Sequence, residues 1–321
     1  MRQVVWGVLL AGVFGMSLAF TPKGPECIAP AGAGGGWDFT CRAVTQVMFD
    51  LKLTPQPFKV TNLTGGGGGV AYANVVSQRG DDANLIVAAS PATTVRLAQG
   101  QFSRFSERDV RWLGAVAADF GVVAVKADAP WKTMQELVAA WKADPSKIAV
   151  GGGSAVGGQD HMKVLLLGRA AGLEPRSVKY VPFDGGGQAI TSLLGGFIQI
   201  FAGDASEVRG QLEAGTVRVL AILAPRRLPA PYANVPTAKE TGYNVEWVVW
   251  RGFYVPKNMP ADAYDYWLGT LRQVEKSESW AKIREQNSLG QFFMIGAQFQ
   301  VYIDRQVNDF RNLSKELGLI K

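Results

Sequence analysis

Histidine is nearly absent: His161 is the only one in 321 residues. Cysteine is almost as scarce, with only Cys27 and Cys41. Two thiols and one distant imidazole do not make a zinc site, so no metal is expected. No run of five basic residues exists, although the formal net charge is +6. Lys and Arg are scattered, the densest spot being Arg226-Arg227, which argues against a nucleic-acid surface. Charged residues make up 19% of the chain and hydrophobic ones 47%, too little charge and too much apolar surface for a disordered chain. The nucleophile elbow Gly-x-Ser-x-Gly does not occur. None of the glycine runs ends in Gly-Lys-Ser/Thr, and none has the spacing of a dinucleotide fingerprint, so no cofactor is expected. Beyond residue 19 no long apolar run follows, so the remainder reads as soluble.

The N-terminus carries an export signature. Arg2 is a short positive region, Val4 to Ala19 is uncharged and mostly apolar, and Ser17-Leu18-Ala19 puts small residues at a cleavage site. This is the anatomy of a signal peptide cut after Ala19; the alternative is an uncleaved anchor, for which the stretch is short. An exported chain meets an oxidising compartment, where Cys27 and Cys41 are expected to pair. Closing a loop of about 15 residues contributes roughly 3 kcal/mol. Two unpaired buried thiols are the alternative.

The length suggests two domains. Strands and helices alternate. Glu26 to Pro30 reads as a strand, Gly32 to Gly36 as a glycine turn, and Phe39 to Leu53 as a helix with Asp38 at its N-cap. Phe58 to Leu63, the run Gly65 to Gly69 and the helix Val70 to Ser77 repeat that layout. A buried strand from Asn84 ends at Ser90-Pro91. Near residue 121 the chain changes lobes. Ile148 to Val150 then leads through Gly151–Gly158 into a helix from Asp160. Val178 to Val181 leads through Gly185–Gly187 into another, and Asp204 opens a third. Trp247 to Val255 is an aromatic strand, and helices Ala261–Ser277 and Ala297–Leu317 return to the first lobe. The pattern is α/β, with mostly parallel sheets flanked by helices.

Four glycine turns therefore stand at strand ends before helices. Such turns expose backbone N–H groups beside positive helix ends, and lacking Cβ atoms they let an anion approach closely. Converging on one cleft they could hold more than one carboxylate; singly, each could be no more than a tight turn. His161 is expected to pack or cap, with ligand contact and catalysis as alternatives. Asp204 and Glu207, one turn apart, read as a cap, with ligand contact and an acid–base pair as alternatives.

Several of these segments resemble one family. They are Cys27-Ile28-Ala29-Pro30 with Gly34 to Arg42, Asn62 to Gly69, Gly153-Ser154 with His161, and Tyr180 to Gly187. Gly203 to Glu207 and Trp250 to Pro256 complete the set. The chain resembles substrate-binding proteins of tripartite tricarboxylate transporters, the Bug family, in its tricarboxylate-binding branch. Ala31-Gly32-Ala33 departs from the Pro that many relatives carry before these glycines. The resemblance implies a two-lobed periplasmic Venus-flytrap fold, with lobe 1 from residues 20–122 and 248–321 and lobe 2 from 123–247. It implies a monomer that carries a small carboxylate, citrate or a dicarboxylate, to membrane subunits, and no enzyme activity. The carboxylate is expected on Gly34, Gly35, Gly36, Trp37 and Asp38 and on Ser154, Ala155, Val156 and Gly157. Gly66, Gly67, Ser90, Asp184, Gly185 and Asp204 are expected around them. A sensor feeding a membrane kinase and an exported hydrolase are the competing functions.

Overall fold

Short apolar strands separated by glycine turns form the parallel half of the first sheet. β1 (Glu26–Ala29) leads through α1 (Gly36–Asp50) to β2 (Lys59–Asn62), and α2 (Gly69–Gln78) leads on to β3 (Leu85–Ala89). β1 pairs in parallel with β2 and β3, which the helical crossovers allow. The expected strand end at Ser90-Pro91 is also the start of a helix, α3 (Pro91–Ala98). Ser90 caps it and Pro91 takes its first turn, where a missing N–H costs nothing. The computed structural model describes residues 20–321, so the signal segment and its cleavage after Ala19 lie outside the described residues.

β4 (Val110–Phe120) carries the chain across the first sheet, and Gly121 alone separates it from β5 (Val122–Lys126) of the second. α4 (Met134–Ala143), β6 (Ala149–Gly152), α5 (Gln159–Ala170), β7 (Lys179–Pro182) and α6 (Gly186–Leu194) follow. β8 (Ile200–Phe201), α7 (Ala205–Glu213) and β9 (Val217–Ile222) complete the second lobe. β10 (Val248–Pro256) then returns to the first sheet, followed by α8 (Ala261–Lys276), α9 (Glu278–Gln286), β11 (Met294–Ile295) and α10 (Gly296–Glu316). The strand orders are β11-β4-β10-β3-β1-β2 and β7-β6-β8-β5-β9.

The two-lobed α/β architecture is the expected one, but both sheets are mixed rather than mostly parallel. β10 enters between β3 and β4 antiparallel to both, and β5 lies antiparallel to β8 and β9. The strands that cross between lobes make these antiparallel pairs. Gly121 N–H donates to Trp247 O at 3.2 Å, and Leu223 N–H donates to Gly121 O at 2.7 Å, lacing the two crossings together.

Each sheet is covered on both faces. Val44, Met48, Trp267 and Trp280 pack on one side of the first sheet, and Tyr72, Trp112, Trp250 and Phe299 on the other. Trp141, Met162 and Leu220 fill one side of the second sheet, with Ile190, Leu193 and Phe201 on the other. Burying each such side chain contributes roughly 1.5–3 kcal/mol. α8 packs on the first sheet through Trp267 and Leu271, whereas α10 reaches both cores. Its Phe299 and Ile303 belong to the first core, while Leu317 belongs to the second. Phe310 stacks on Trp247 at 5.4 Å.

Cys27 and Cys41 form a disulfide with Cα atoms 5.8 Å apart. It ties β1 to α1, and the chain between them is the first glycine turn.

Candidate functional site

A cavity of about 400 Å³ lies between the lobes, at the carboxyl ends of β1, β3, β6 and β7. Five helices begin at its wall. α1 contributes Gly36 and Trp37, α3 Ser90 and Ala92, α5 Gln159 and Asp160, α6 Gly185, and α7 Asp204 and Glu207. The fold thus aims five positive helix ends into one space. Of the residues expected at the site, Gly35, Gly36, Trp37, Gly66, Gly67, Ser90, Ser154, Ala155, Val156, Asp184, Gly185 and Asp204 line it. Gly34, Asp38 and Gly157 do not line it: Gly34 is exposed, and Asp38 and Gly157 are buried. The lobes touch around it. Gly32 N–H donates to Asp184 O at 3.1 Å, and Gln99 Nε2 donates to Gly157 O at 2.7 Å.

Asp38 is not the N-cap of α1. The helix starts at Gly36 after an extended Gly35, and the Asp38 carboxylate reaches back instead. It accepts Gly34 N–H at 3.0 Å, Arg42 Nε at 3.0 Å and Asn62 Nδ2 at 2.9 Å. Burial raises its pKa, but the bonds from Arg42, Gly34 and Asn62 outweigh that and hold it below the ordinary value. Asp38 therefore shapes the first turn from behind.

His161 does the same for the second lobe. Its Nδ1 accepts Gly157 N–H at 2.9 Å, and its ring stacks on Tyr180 at 4.6 Å. Burial pulls its pKa down to about 4, so the imidazole is neutral, with its proton on Nε2. Ser154 Oγ accepts Asp160 N–H at 2.9 Å at the start of α5.

The cavity floor is a buried charge cluster joining the lobes. Arg251, from β10, donates to Asp119 at 2.5 Å and to Asp204 at 3.0 Å. Lys163, from α5, donates to Asp204 at 2.5 Å and to Asp160 at 2.8 Å. Gly36 packs on this group: a Cβ there would overlap the Arg251 guanidinium. The glycine is needed for that approach and not for a left-handed backbone. Glu207 accepts Asp204 N–H, as a cap partner should, and Gly36 N–H from the other lobe.

Burial, with the charges of Asp204 and Asp160 beside it, raises the Glu207 pKa from 4.5 to about 8; Arg251 and Lys163 oppose this only in part. A carboxyl raised on folding binds its proton more tightly in the native state. Its contribution is present below the unfolded value and lost as pH rises toward about 8. His161, depressed to about 4 from 6.5, works in the opposite direction, but only below 6.5. Between those limits stability should fall with pH by at most about 1.4 kcal/mol per unit. Urea midpoints from pH 6.5 to 8 should decline for the wild type and stay level for Glu207→Gln. Parallel curves would refute the assignment.

Among the residues at or under this site that were not anticipated as site groups are Asp119, Lys163, Arg96 and Glu207. Asp119 lies on β4, which periodicity did not reveal. Arg96 lies on α3, for which the Ser90-Pro91 cap was the available signal. Glu207 was legible as a cap partner but not as a bridge between lobes.

Residues 42–319 match the family described as the tripartite tricarboxylate transporter family receptor. A Cupriavidus necator protein, described as a UPF0065 protein in the gbd 5′ region, is 26% identical over 90% of this chain and 86% of its own length. Among solved structures, the periplasmic binding protein BugD superposes with a TM-score of 0.84 at 21% identity, covering 92% of this chain and 98% of that one. An R. palustris protein with adipate gives 0.83 at 20% identity, over 92% and 97% of the two chains. MatC from Rhodopseudomonas palustris, with bound malate, gives 0.78 at 19%, over 90% and 98%. No helix among the described residues is long and apolar enough to cross a membrane. The match spans most of the chain, and the chain belongs to the tripartite tricarboxylate transporter receptor family.

Proposed function

We propose that this protein is a periplasmic solute-binding protein. It captures a small di- or tricarboxylate between its lobes and presents it to the membrane subunits of a tripartite transporter. The observation that carries this reading is a single interlobe cavity onto which helix N-termini and the glycine turns at Gly65–Gly67 and Gly153–Gly158 open. Helix ends and glycine turns bind anions through backbone N–H groups. The malate and adipate held by two structural neighbours support the ligand class. The export signature at the N-terminus and the Cys27–Cys41 disulfide support a periplasmic location. His161 is committed to Gly157 and Tyr180, which supports binding without chemistry. The lobes are residues 20–122 with 248–321, and 123–247, with closure about Gly121 and Trp247, and the working unit is a monomer.

Thermal unfolding against citrate, C4–C8 dicarboxylates, acidic amino acids and aromatic acids tests the reading. A ligand at about 100 times its Kd stabilises the native state by about 2.7 kcal/mol. At least one organic acid should raise Tm accordingly. No shift with any of them would overturn the function.

A further inference from the structure

One end of the cavity is already occupied by a carboxyl group that belongs to the protein. Glu207 accepts Gly36 N–H at 3.1 Å, from the first residue of α1, and Asp204 N–H at 3.0 Å, from the cap of α7. A side chain at Gly186, which opens α6, would run into the same carboxyl group, at 2.5 Å. The starts of α1, α6 and α7 thus face Glu207. Asp160 and Asp204 lie beside it, and the cations there, Arg251 and Lys163, are bound by Asp119, Asp204 and Asp160. The Gly36 and Asp204 N–H groups are thus already taken by Glu207, and the three aspartates outnumber the two cations, so an incoming carboxylate finds neither a free donor nor net positive charge at this end.

The opposite wall differs. Arg96 reaches it from α3, and among the described residues it lines the cavity as a cation with no carboxylate partner. Its Nη1 donates to Val156 O at 2.8 Å and Gln99 Oε1 at 3.2 Å, and its Nη2 donates to Gln101 Oε1 at 3.3 Å. All three acceptors are neutral. Its Nε is shielded from solvent and has no hydrogen-bond partner. Gly67, in the left-handed region at φ 64°, brings the second glycine run beside it, so that a Cβ there would lie 3.4 Å from that Nε. A half-buried guanidinium with no carboxylate partner and a donor unused is chemically matched to a carboxylate.

We propose that Arg96 receives one carboxylate of the ligand, at the wall formed with Gly66, Gly67 and Ala155, and that Glu207 excludes a carboxylate from the α1 end. The proposal rests on the carboxylate-binding function above and narrows it. A dicarboxylate can set one end on Arg96 and turn the other toward the Ser154–Gly158 turn. A third carboxylate, as in citrate, would fall toward Asp204 and Glu207. Dicarboxylates are therefore preferred over citrate.

Calorimetry with malate, adipate and citrate on the wild type, Arg96→Gln and Arg96→Lys tests this, with Tm measured on each variant to establish folding. The wild type should bind malate or adipate more tightly than citrate. Arg96→Gln should lose about 10- to 150-fold in affinity for that dicarboxylate, and Arg96→Lys should recover part of the loss. Binding by Arg96→Gln within about threefold of the wild type would overturn the proposal, as would tighter binding of citrate. Equal losses in the Gln and Lys variants would make Arg96 a latch on Val156 and overturn it too. Those three results leave the proposed function standing, whereas silence of the wild type to the whole acid panel removes both.

Discussion

Arg251→Met should unfold at a much lower urea concentration than the wild type, with a loss of about 3–5 kcal/mol. Arg251 is 2% exposed, and its partners Asp119 and Asp204 are 0% and 2% exposed. Removing the guanidinium leaves both carboxylates buried without their cation, and the penalty is theirs more than the lost ion pair's. Asp119 feels it most. Burial already raises its pKa, and Arg251 is the first charge to oppose that rise. The double variant Arg251→Met with Asp119→Asn should therefore recover part of the loss, because one of the stranded charges is gone. Equilibrium urea unfolding at neutral pH measures both. A single variant as stable as the wild type, or a double variant that recovers nothing, would show that charge burial is not what Arg251 relieves. Since Gly36 packs on the same guanidinium, the first glycine turn should loosen with it.

The double variant Cys27→Ser with Cys41→Ser should lose about 3 kcal/mol, the loop-closure contribution for a separation of 14 residues. Both sulfurs are in the core, so two hydroxyls in their place add a desolvation cost. Ligand binding should weaken as well, because the bridge spans the turn that presents Gly35, Gly36 and Trp37 to the cavity. Urea unfolding of the variant, and of the wild type with and without reductant, checks the stability effect. Unchanged stability, or thiols that react in the native protein, would contradict it.

The alternation of strands with glycine turns and helices was enough to place the site at strand ends, because each turn needs only local residues to form. The cavity wall from Gly35 to Trp37 and from Ser154 to Val156 follows from that. What local pattern could not show are partners far apart in the chain. Arg251 and Asp119 meet across a separation of 132 residues, and Glu207 and Gly36 across 171. Asp38 illustrates the same limit at short range. An Asp at a helix start reads as a cap, but Asn62, 24 residues on, and Arg42 draw its carboxylate elsewhere and the helix begins three residues earlier than expected, at Gly36. The sheets are mixed for a related reason: β10 returns antiparallel only because the chain crosses between lobes twice, which no strand's own sequence records.

Calorimetric titration of the acid panel into the wild type and into Ala155→Trp tests whether the interlobe cavity holds the ligand. Ala155 lines the cavity from the second lobe, and an indole there should fill the space between the lobes. The wild type should bind one acid molecule per chain, and Ala155→Trp should bind none. A wild type that binds none of the acids, or an Ala155→Trp variant that binds as the wild type does, would place the function outside this cavity.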